Sequence, residues 1–381
     1  MIKPPAHVFY IIVFSQFCCT SLWFATNAVL PQLQLAYHWP GDAIGHITAA
    51  VQLGFISGTL LYAFFGLSDR FSPASVFFVS SVLAAGMNAL CLWDIGALNL
   101  AMISRFFTGF FLAGVYPVGM KIASDWNREG LGHWLGGLVG ALVLGTSFPH
   151  LLHLIPGIPD AEMIIGLVSL LAIVGGLSMR LFIGDGPHHL RSARFTFRNV
   201  RGVFGYAEFR AAAMGYFGHM WELYAFWAFV PVVLNNYQHK SATVFSVSGW
   251  SFVIIAAGVI GCLVGGKLSL AWGSKRIASV ALTSSAFCCL LSPFVFHSAF
   301  PVFISMMFFW GLMAVADSPQ FSALVAGHAP AHVRGSAITL VTCIGFAITI
   351  ISIQLVNYLQ MLISPRYLLL VLAPGPLLGK S

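Results

Sequence analysis

The sequence specifies an all-α polytopic membrane protein: twelve transmembrane helices arranged as two parallel-repeat six-helix bundles, with a short twelfth helix. Three observations carry this reading. Of 381 residues, 59% are hydrophobic and 8% charged, against roughly 45–50% and about 25% in soluble chains. Apolar runs long enough to cross a bilayer recur along the whole length. The basic residues gather on alternate connections between those runs.

The runs fall at 9–30, 43–66, 74–93, 99–121, 134–155, 161–183, 209–234, 244–266, 277–295, 301–326, 336–358 and 367–379. A span needs about 20 residues, so twelve of them use roughly 240 and leave little for any domain outside the membrane. The first run follows Lys3 and is too long for a signal-peptide core, so it is expected to remain as a helix. The last is broken by Pro374 and Pro376, and as a straight helix it covers only about 18 Å of a ~30 Å core.

If the N-terminus is inside, fifteen of the eighteen Lys and Arg lie on that side, Lys240 and Arg366 lie opposite, and Arg105 sits within a helix. Such a bias places both termini in the cytoplasm, in a membrane of the bacterial inner-membrane type. The net charge of +7 is spread over helix flanks and describes topology, not a nucleic-acid surface. The one long polar connection divides the chain into an N-terminal bundle (1–183), a basic cytoplasmic linker (184–205) and a C-terminal bundle (206–381). Arg191, Arg194, Arg198 and Arg201 recur in the linker at three- and four-residue steps, within about 80° of a helical wheel. They read either as an interfacial helix on anionic lipid headgroups or as a solvated linker serving topology alone.

The two halves repeat. Leu67-Ser68-Asp69-Arg70-Phe71-Ser72 follows the second run, and Leu268-Ser269-Leu270-Ala271-Trp272-Gly273-Ser274-Lys275-Arg276 follows the eighth. Tyr116-Pro117 in the fourth run has its counterpart in Ser318-Pro319 of the tenth. Arg105 begins an R-x-x-T-G stretch with Thr108 and Gly109. In this twelve-helix frame the motifs resemble the major facilitator superfamily across essentially the whole chain. The 67–70 loop is similar to that family's G-x-L-[SA]-D-[RK]-x-G-[RK] hallmark, with Phe65, Ser72 and Pro73 replacing two glycines and a basic residue. The segments around 219–227 and 316–326 also resemble a bacterial subgroup of permeases of unassigned substrate. The resemblance implies a solute site between the bundles near the midplane and alternating access by rocking. It also implies gating by Asp69 and Arg70; a carboxylate at the cytoplasmic mouth can pair with a nearby Arg and cap helix N-termini in one of two conformations. A plain surface loop is the other reading.

Ionisable side chains inside a span are costly and point to function. Glu222 lies roughly 16 Å into the seventh run, His219 about 12 Å, and Asp317 about 13 Å into the tenth. The resemblance places both helices on the central cavity, so these groups are expected to meet there. Burial favours the protonated form of a carboxyl and a nearby cation favours the ionised form, so carboxyls that change surroundings exchange protons. A static polar cluster pinning two helices is the alternative. Arg105, about 9 Å in, is open to three readings: an anion receptor, an aid to proton transfer, or a clamp on backbone carbonyls.

Gln16, Thr20, Trp23 and Asn27 share about 60° of the first helix and, with Tyr224 and Gln320, form a candidate substrate cavity. Inter-helix hydrogen bonding explains such a stripe equally well. The seven cysteines lie in apolar runs without CxxC spacing, so neither a disulfide framework nor a zinc site is expected. His219 with Glu222, or His150 with His153, offers too few ligands for a metal. Gly261 to Lys267 matches GxxxxGK, but Leu268 replaces the magnesium-holding Ser/Thr and no strand precedes it. No cofactor and no enzymatic activity are expected.

These readings converge on a secondary active transporter, proton-coupled, moving a small polar or organic solute and working as a monomer. Gly136, Gly137, Gly140, Gly145 and Pro149 do not reproduce the efflux signature of the family's fifth helix, which leans toward uptake. Proton-driven efflux of a drug, metabolite or siderophore-like compound, or a non-transporting sensor on the same fold, are the alternatives.

Overall fold

The computed structural model describes residues 5–127, 131–157, 160–188, 201–330 and 333–379. Among them every regular element is helical. Eleven helices are long and apolar enough to cross a membrane: α1 (His7–Tyr37), α2 (Ala43–Arg70), α3 (Pro73–Asp94), α4 (Leu98–Trp126), α5 (Trp134–Leu152), α6 (Ala161–Phe182), α7 (Ala207–Ser241), α8 (Val247–Trp272), α9 (Ser274–Val295), α10 (Phe300–His328) and α11 (Arg334–Leu359). A shorter apolar segment, α12 (Pro365–Leu378), follows. Arg191, Arg194 and Arg198 of the expected interfacial helix lie outside the described residues.

Among the described residues α1, α4 and α10 are interrupted well inside their spans. The regular α-helix of α1 stops at Thr20 and resumes at Ala25. Thr20 and Ser21 both turn their hydroxyls onto carbonyls of the preceding turn, Gln16 at 2.8 Å and Cys18 at 2.7 Å, a bond that competes with the helical ladder. The second segments of α4 and α10 start at Tyr116 and Ser318, each with a proline just inside its start. Pro117 and Pro319 lack the N–H that would continue the ladder, so the break falls where the sequence repeat places the two prolines.

The repeat is also visible in packing. A Cβ on Gly54 would lie 1.8 Å from the Phe106 carbonyl oxygen, and one on Gly109 would lie 2.0 Å from that of Val51, so α2 and α4 meet backbone to backbone. In the second half Gly261 faces the Leu312 carbonyl and Gly311 that of Ile254, at 2.2 and 2.0 Å on the same measure, which joins α8 to α10. Small residues allow this approach where lipid tails offer no hydrophobic drive for association. The two halves contact each other chiefly along α2 with α11 and α5 with α8. At the end carrying the α1–α2 connection, Gln354 donates to Gly45 O at 3.1 Å and Asn357 to Asp42 O at 2.9 Å.

The twelfth segment is short, as expected, and is not one continuous α-helix. It consists of two 3₁₀ turns, Pro365–Tyr367 and Leu369–Leu372, followed by Pro374–Leu378. A 3₁₀ turn rises about 2.0 Å per residue, so few residues reach far. Trp221 donates to Val371 O at 3.4 Å, and Gly375 lies against the Gly218 backbone. α12 starts beside His297, which Arg366 approaches at 3.5 Å and which lies against Lys240 near the end of α7, and packs along α7 as far as Gly218.

Gly109→Ala and Gly311→Ala force a methyl group against a backbone oxygen that cannot swing aside. Each is expected to lower stability by about 1–3 kcal/mol, read as a fall in thermal unfolding midpoint in detergent. Gly86→Ala, where a Cβ meets nothing within 4 Å, is expected to be neutral or mildly stabilising.

Candidate functional site

Two buried carboxyl groups lie in the second half, and they do not meet. Glu222 of α7 is 2% exposed and turns toward α9 and α10. Its Oε1 accepts hydrogen bonds from the Ser285 hydroxyl and the Trp310 indole N–H, with the Cys289 thiol at 3.7 Å. His219, three residues earlier, points elsewhere: its Nδ1 lies 2.8 Å from Oδ1 of Asp317. Asp317 stands at the break in α10, between Ala316 and Ser318. Tyr216 and Phe321 flank the imidazole, both at 6.2 Å between ring centroids. His219 Nε2 has no partner among the described residues. The expectation that Glu222, His219 and Asp317 form one cluster in the cavity is therefore corrected. They form a His219–Asp317 pair and a separate Glu222 site inside the second half, because α7 presents adjacent faces to different neighbours.

Arg105 lies on α4 and is fully buried. Its Nη1 donates to Asn88 Oδ1 at 2.7 Å, and its Nη2 to the carbonyls of Leu22, at 2.8 Å, and Trp23. Those carbonyls belong to the unwound stretch of α1, where the Leu22 carbonyl keeps only a long turn bond from the Ala25 N–H, at 3.4 Å. Asn88 is itself held by Ser169 of α6 at 2.9 Å. Of the three readings open in the sequence, this is the geometry of the carbonyl clamp.

The clamped stretch carries Trp23 and Phe24 into an aromatic cluster between the halves. Trp23 meets Phe55 of α2 at 4.8 Å, Phe346 of α11 at 5.7 Å and Tyr224 of α7 at 5.8 Å. Phe55 and Phe346 approach to 4.4 Å, and Phe24 contacts Trp227 at 6.3 Å. All six rings are buried. On α1, α2 and α7, which carry most of this cluster, several polar atoms are buried without a partner among the described residues: both amide atoms of Gln16 and of Gln52, Asn27 Oδ1, and the indole nitrogens of Trp23 and Trp227. Unsatisfied buried polar atoms are rare in native structures and mark places where a polar ligand or water is accommodated. Asn27 spends its amide on Thr48 at 2.6 Å. Thr20 differs from its stripe: it faces α5, 3.3 Å from Ala141 O and against Gly145, so it serves helix packing. Gln320 is buried one turn beyond Asp317.

A family model described as Major Facilitator Superfamily matches residues 12–353. The chain belongs to the major facilitator superfamily. It is a multi-pass integral membrane protein of a transporter family. Solved superfamily structures share the fold: the human organic anion transporter MFSD10 (TETRAN) at 15% identity and TM-score 0.75, with 99% of each chain covered. A bacterial homolog of the human lysosomal transporter Spinster, inward-facing and unoccupied, is similar at 12% identity and TM-score 0.70, covering 93% of this chain and 82% of that one. No curated protein matches the chain.

The loop that carries the superfamily resemblance is tied down by α4. Lys121 pairs with Asp69 Oδ1 and donates to Ser68 O at 2.7 Å. Arg70, the residue in the basic position of the motif, is exposed. Sequence reasoning counted Lys121 on the same side as Asp69 without pairing them, because the pairing depends on how α4 lies against the loop. It also missed Asn88, Ser285 and Trp310, which are ordinary residues of apolar spans until packing aims them at an ion. Phe55, Phe346 and Trp227 were missed because aromatic residues abound in this chain, with 34 Phe, and many face lipid.

Replacing Arg105 with Ala removes the side-chain donor of both buried carbonyls and leaves Leu22 O with only the 3.4 Å turn bond from Ala25 N–H. The loss is expected to be about 3 kcal/mol or more, read as a thermal unfolding midpoint well below that of the Lys variant, which keeps one donor in place.

Proposed function

We propose that this superfamily member is a proton-coupled secondary transporter that moves a small polar or organic solute by alternating access, with uptake favoured over efflux. The observation that carries the reading is the setting of its two deep carboxyls. Glu222 is held by a hydroxyl, an indole and a thiol, and Asp317 by an imidazole. No Lys or Arg pairs with either among the described residues, so no fixed charge locks them in the ionised form. A carboxyl with no Lys or Arg beside it gains or loses its proton when its surroundings change polarity, and a histidine such as His219, with Nδ1 facing Asp317, can relay a proton.

Solute contacts fall to Gln16, Trp23, Asn27 and Tyr224, with Gln320 beside the His219–Asp317 pair; the polar atoms lacking partners supply hydrogen-bonding capacity along the route. Arg105 acts in this scheme by fixing the α1 segment that bears Trp23. Asp69, through Lys121, and Arg70 govern gating at the basic end. The distribution of Lys and Arg supports cytoplasmic termini in a membrane of the bacterial inner type, with Arg191, Arg194, Arg198 and Arg201 on anionic headgroups and the protein acting as a monomer.

Proteoliposomes enclosing a pH-sensitive dye and challenged with pooled metabolites test the proposal. A solute-triggered pH change is expected in the native protein, falling by at least about tenfold in Glu222→Gln or Asp317→Asn. Solute movement without any pH change, unaltered in both variants, would contradict proton coupling.

A further inference from the structure

Beyond the carboxyl sites, the chain holds a second charged constellation, at the opposite end from the 184–205 connection. That end was expected to carry only Lys240 and Arg366 among the basic residues, and the fold brings them together. Lys240 lies in the last turn of α7, Arg366 in the first turn of α12, and His297, in the α9–α10 connection, lies between them. The Lys240 ammonium contacts His297 Nδ1, and the Arg366 guanidinium lies 3.5 Å from His297 Nε2. Phe296 lies under the ammonium, 5.4 Å from it, and Tyr367 under the guanidinium at 4.4 Å. No carboxylate pairs with any of the three among the described residues.

The donor count makes this arrangement incomplete. Lys and Arg can only donate, and a neutral imidazole offers a single acceptor nitrogen. Desolvation, together with the charges of Lys240 and Arg366, lowers His297 from its ordinary value, which favours the neutral ring. Whichever nitrogen accepts, the other carries a proton that faces a cation. Arg366 Nε is also buried without a partner. A cavity of about 280 Å³ opens at this point, lined by Asn236, Lys240, Phe296, His297, Ser364 and Arg366 among others. Like charges held together beside such a cavity call for oxygen atoms that accept from several donors at once.

We propose that Lys240, His297 and Arg366 form a binding site for an anionic oxygen group, a phosphate or a carboxylate, whose oxygens bridge the ammonium, the imidazole N–H and the guanidinium. Asn236 and Ser364 add neutral hydrogen-bonding groups on the cavity wall. The same chemistry is offered by a free anion and by the headgroup phosphate of an anionic lipid, which no choline or ethanolamine cation neutralises. The site is separate from the carboxyl groups of the second half and stands whether or not transport is proton-coupled.

Thermal unfolding of the protein in nanodiscs of zwitterionic lipid, titrated with inorganic phosphate and separately with acetate, tests it. At least one anion is expected to raise the midpoint of the native protein saturably, or phosphatidylglycerol in the nanodisc to raise it without added anion. Lys240→Gln and Arg366→Gln are each expected to weaken the effect about tenfold or more. In anion-free zwitterionic discs Lys240→Gln is expected to unfold no lower than the native protein, because it relieves repulsion; this separates lost binding from lost folding. If phosphate still raises the midpoint in phosphatidylglycerol discs, the occupant is a soluble anion; if the lipid alone gives the full rise, it is a headgroup. A native protein that responds to phosphate, acetate and phosphatidylglycerol no differently from both variants would overturn the proposal.

Discussion

In the hydrocarbon core of a bilayer no water is available to cover a broken helix, so every carbonyl released by unwinding must find its donor within the protein. In α1 the release occurs at 21–24, and the donor is Arg105, reaching across from α4 to the Leu22 and Trp23 carbonyls. Much of the first half is arranged around that contact. Ser169 orients Asn88, Asn88 holds the other side of the guanidinium, and α1, α3, α4 and α6 are thereby tied at one level. The unwound stretch then directs Trp23 and Phe24 toward the second half, where they meet Tyr224, Trp227 and Phe346.

The same architectural devices occur twice with different chemistry. Both halves join their second and fourth helices through glycines against backbone, and both break the fourth helix at a proline. The first half places a buried arginine and an Asp69–Lys121 pair on this frame. The second replaces the loop acid with Leu270, which is 88% exposed, and carries Glu222 and Asp317, both 2% exposed or less. On the proposed reading the first half supplies a clamped, gated element and the second supplies the proton sites. The aromatic rings between them link movement of one half to the surroundings of the other.

Much of this was legible in the sequence. Span number, the internal repeat and the depth of Glu222, His219 and Asp317 follow from composition and from the fixed rise of a helix. Which way Glu222 faces does not, because a buried carboxyl three residues from a histidine lies on a neighbouring face and its partners depend on where α9 packs. Arg105 was legible as a buried cation, yet its function as a clamp required knowing that α1 unwinds, and the cue, Thr20-Ser21 within an apolar run, is common in membrane helices. The shortness of α12 was legible from Pro374 and Pro376, whereas its division into two 3₁₀ turns before the helix Pro374–Leu378 was not. The convergence of Lys240 and Arg366 could not be read from sequence, since it joins the ends of two helices far apart in the chain.

The central claim is that protonation of carboxyls in the second half changes how the two halves sit against each other. It is tested most directly by electron–electron distance measurements between nitroxide labels at Leu35 and Val244, and between labels at Phe71 and Leu270, all exposed positions at opposite ends of the molecule. The native cysteines are buried, and a cysteine-free background makes the labels unambiguous. The account predicts that moving between mildly acidic and mildly alkaline pH lengthens one distance as the other shortens, and that Glu222→Gln with Asp317→Asn abolishes the response. A pair of distances that stays constant with pH in the native protein, or shifts equally in the double variant, would contradict it.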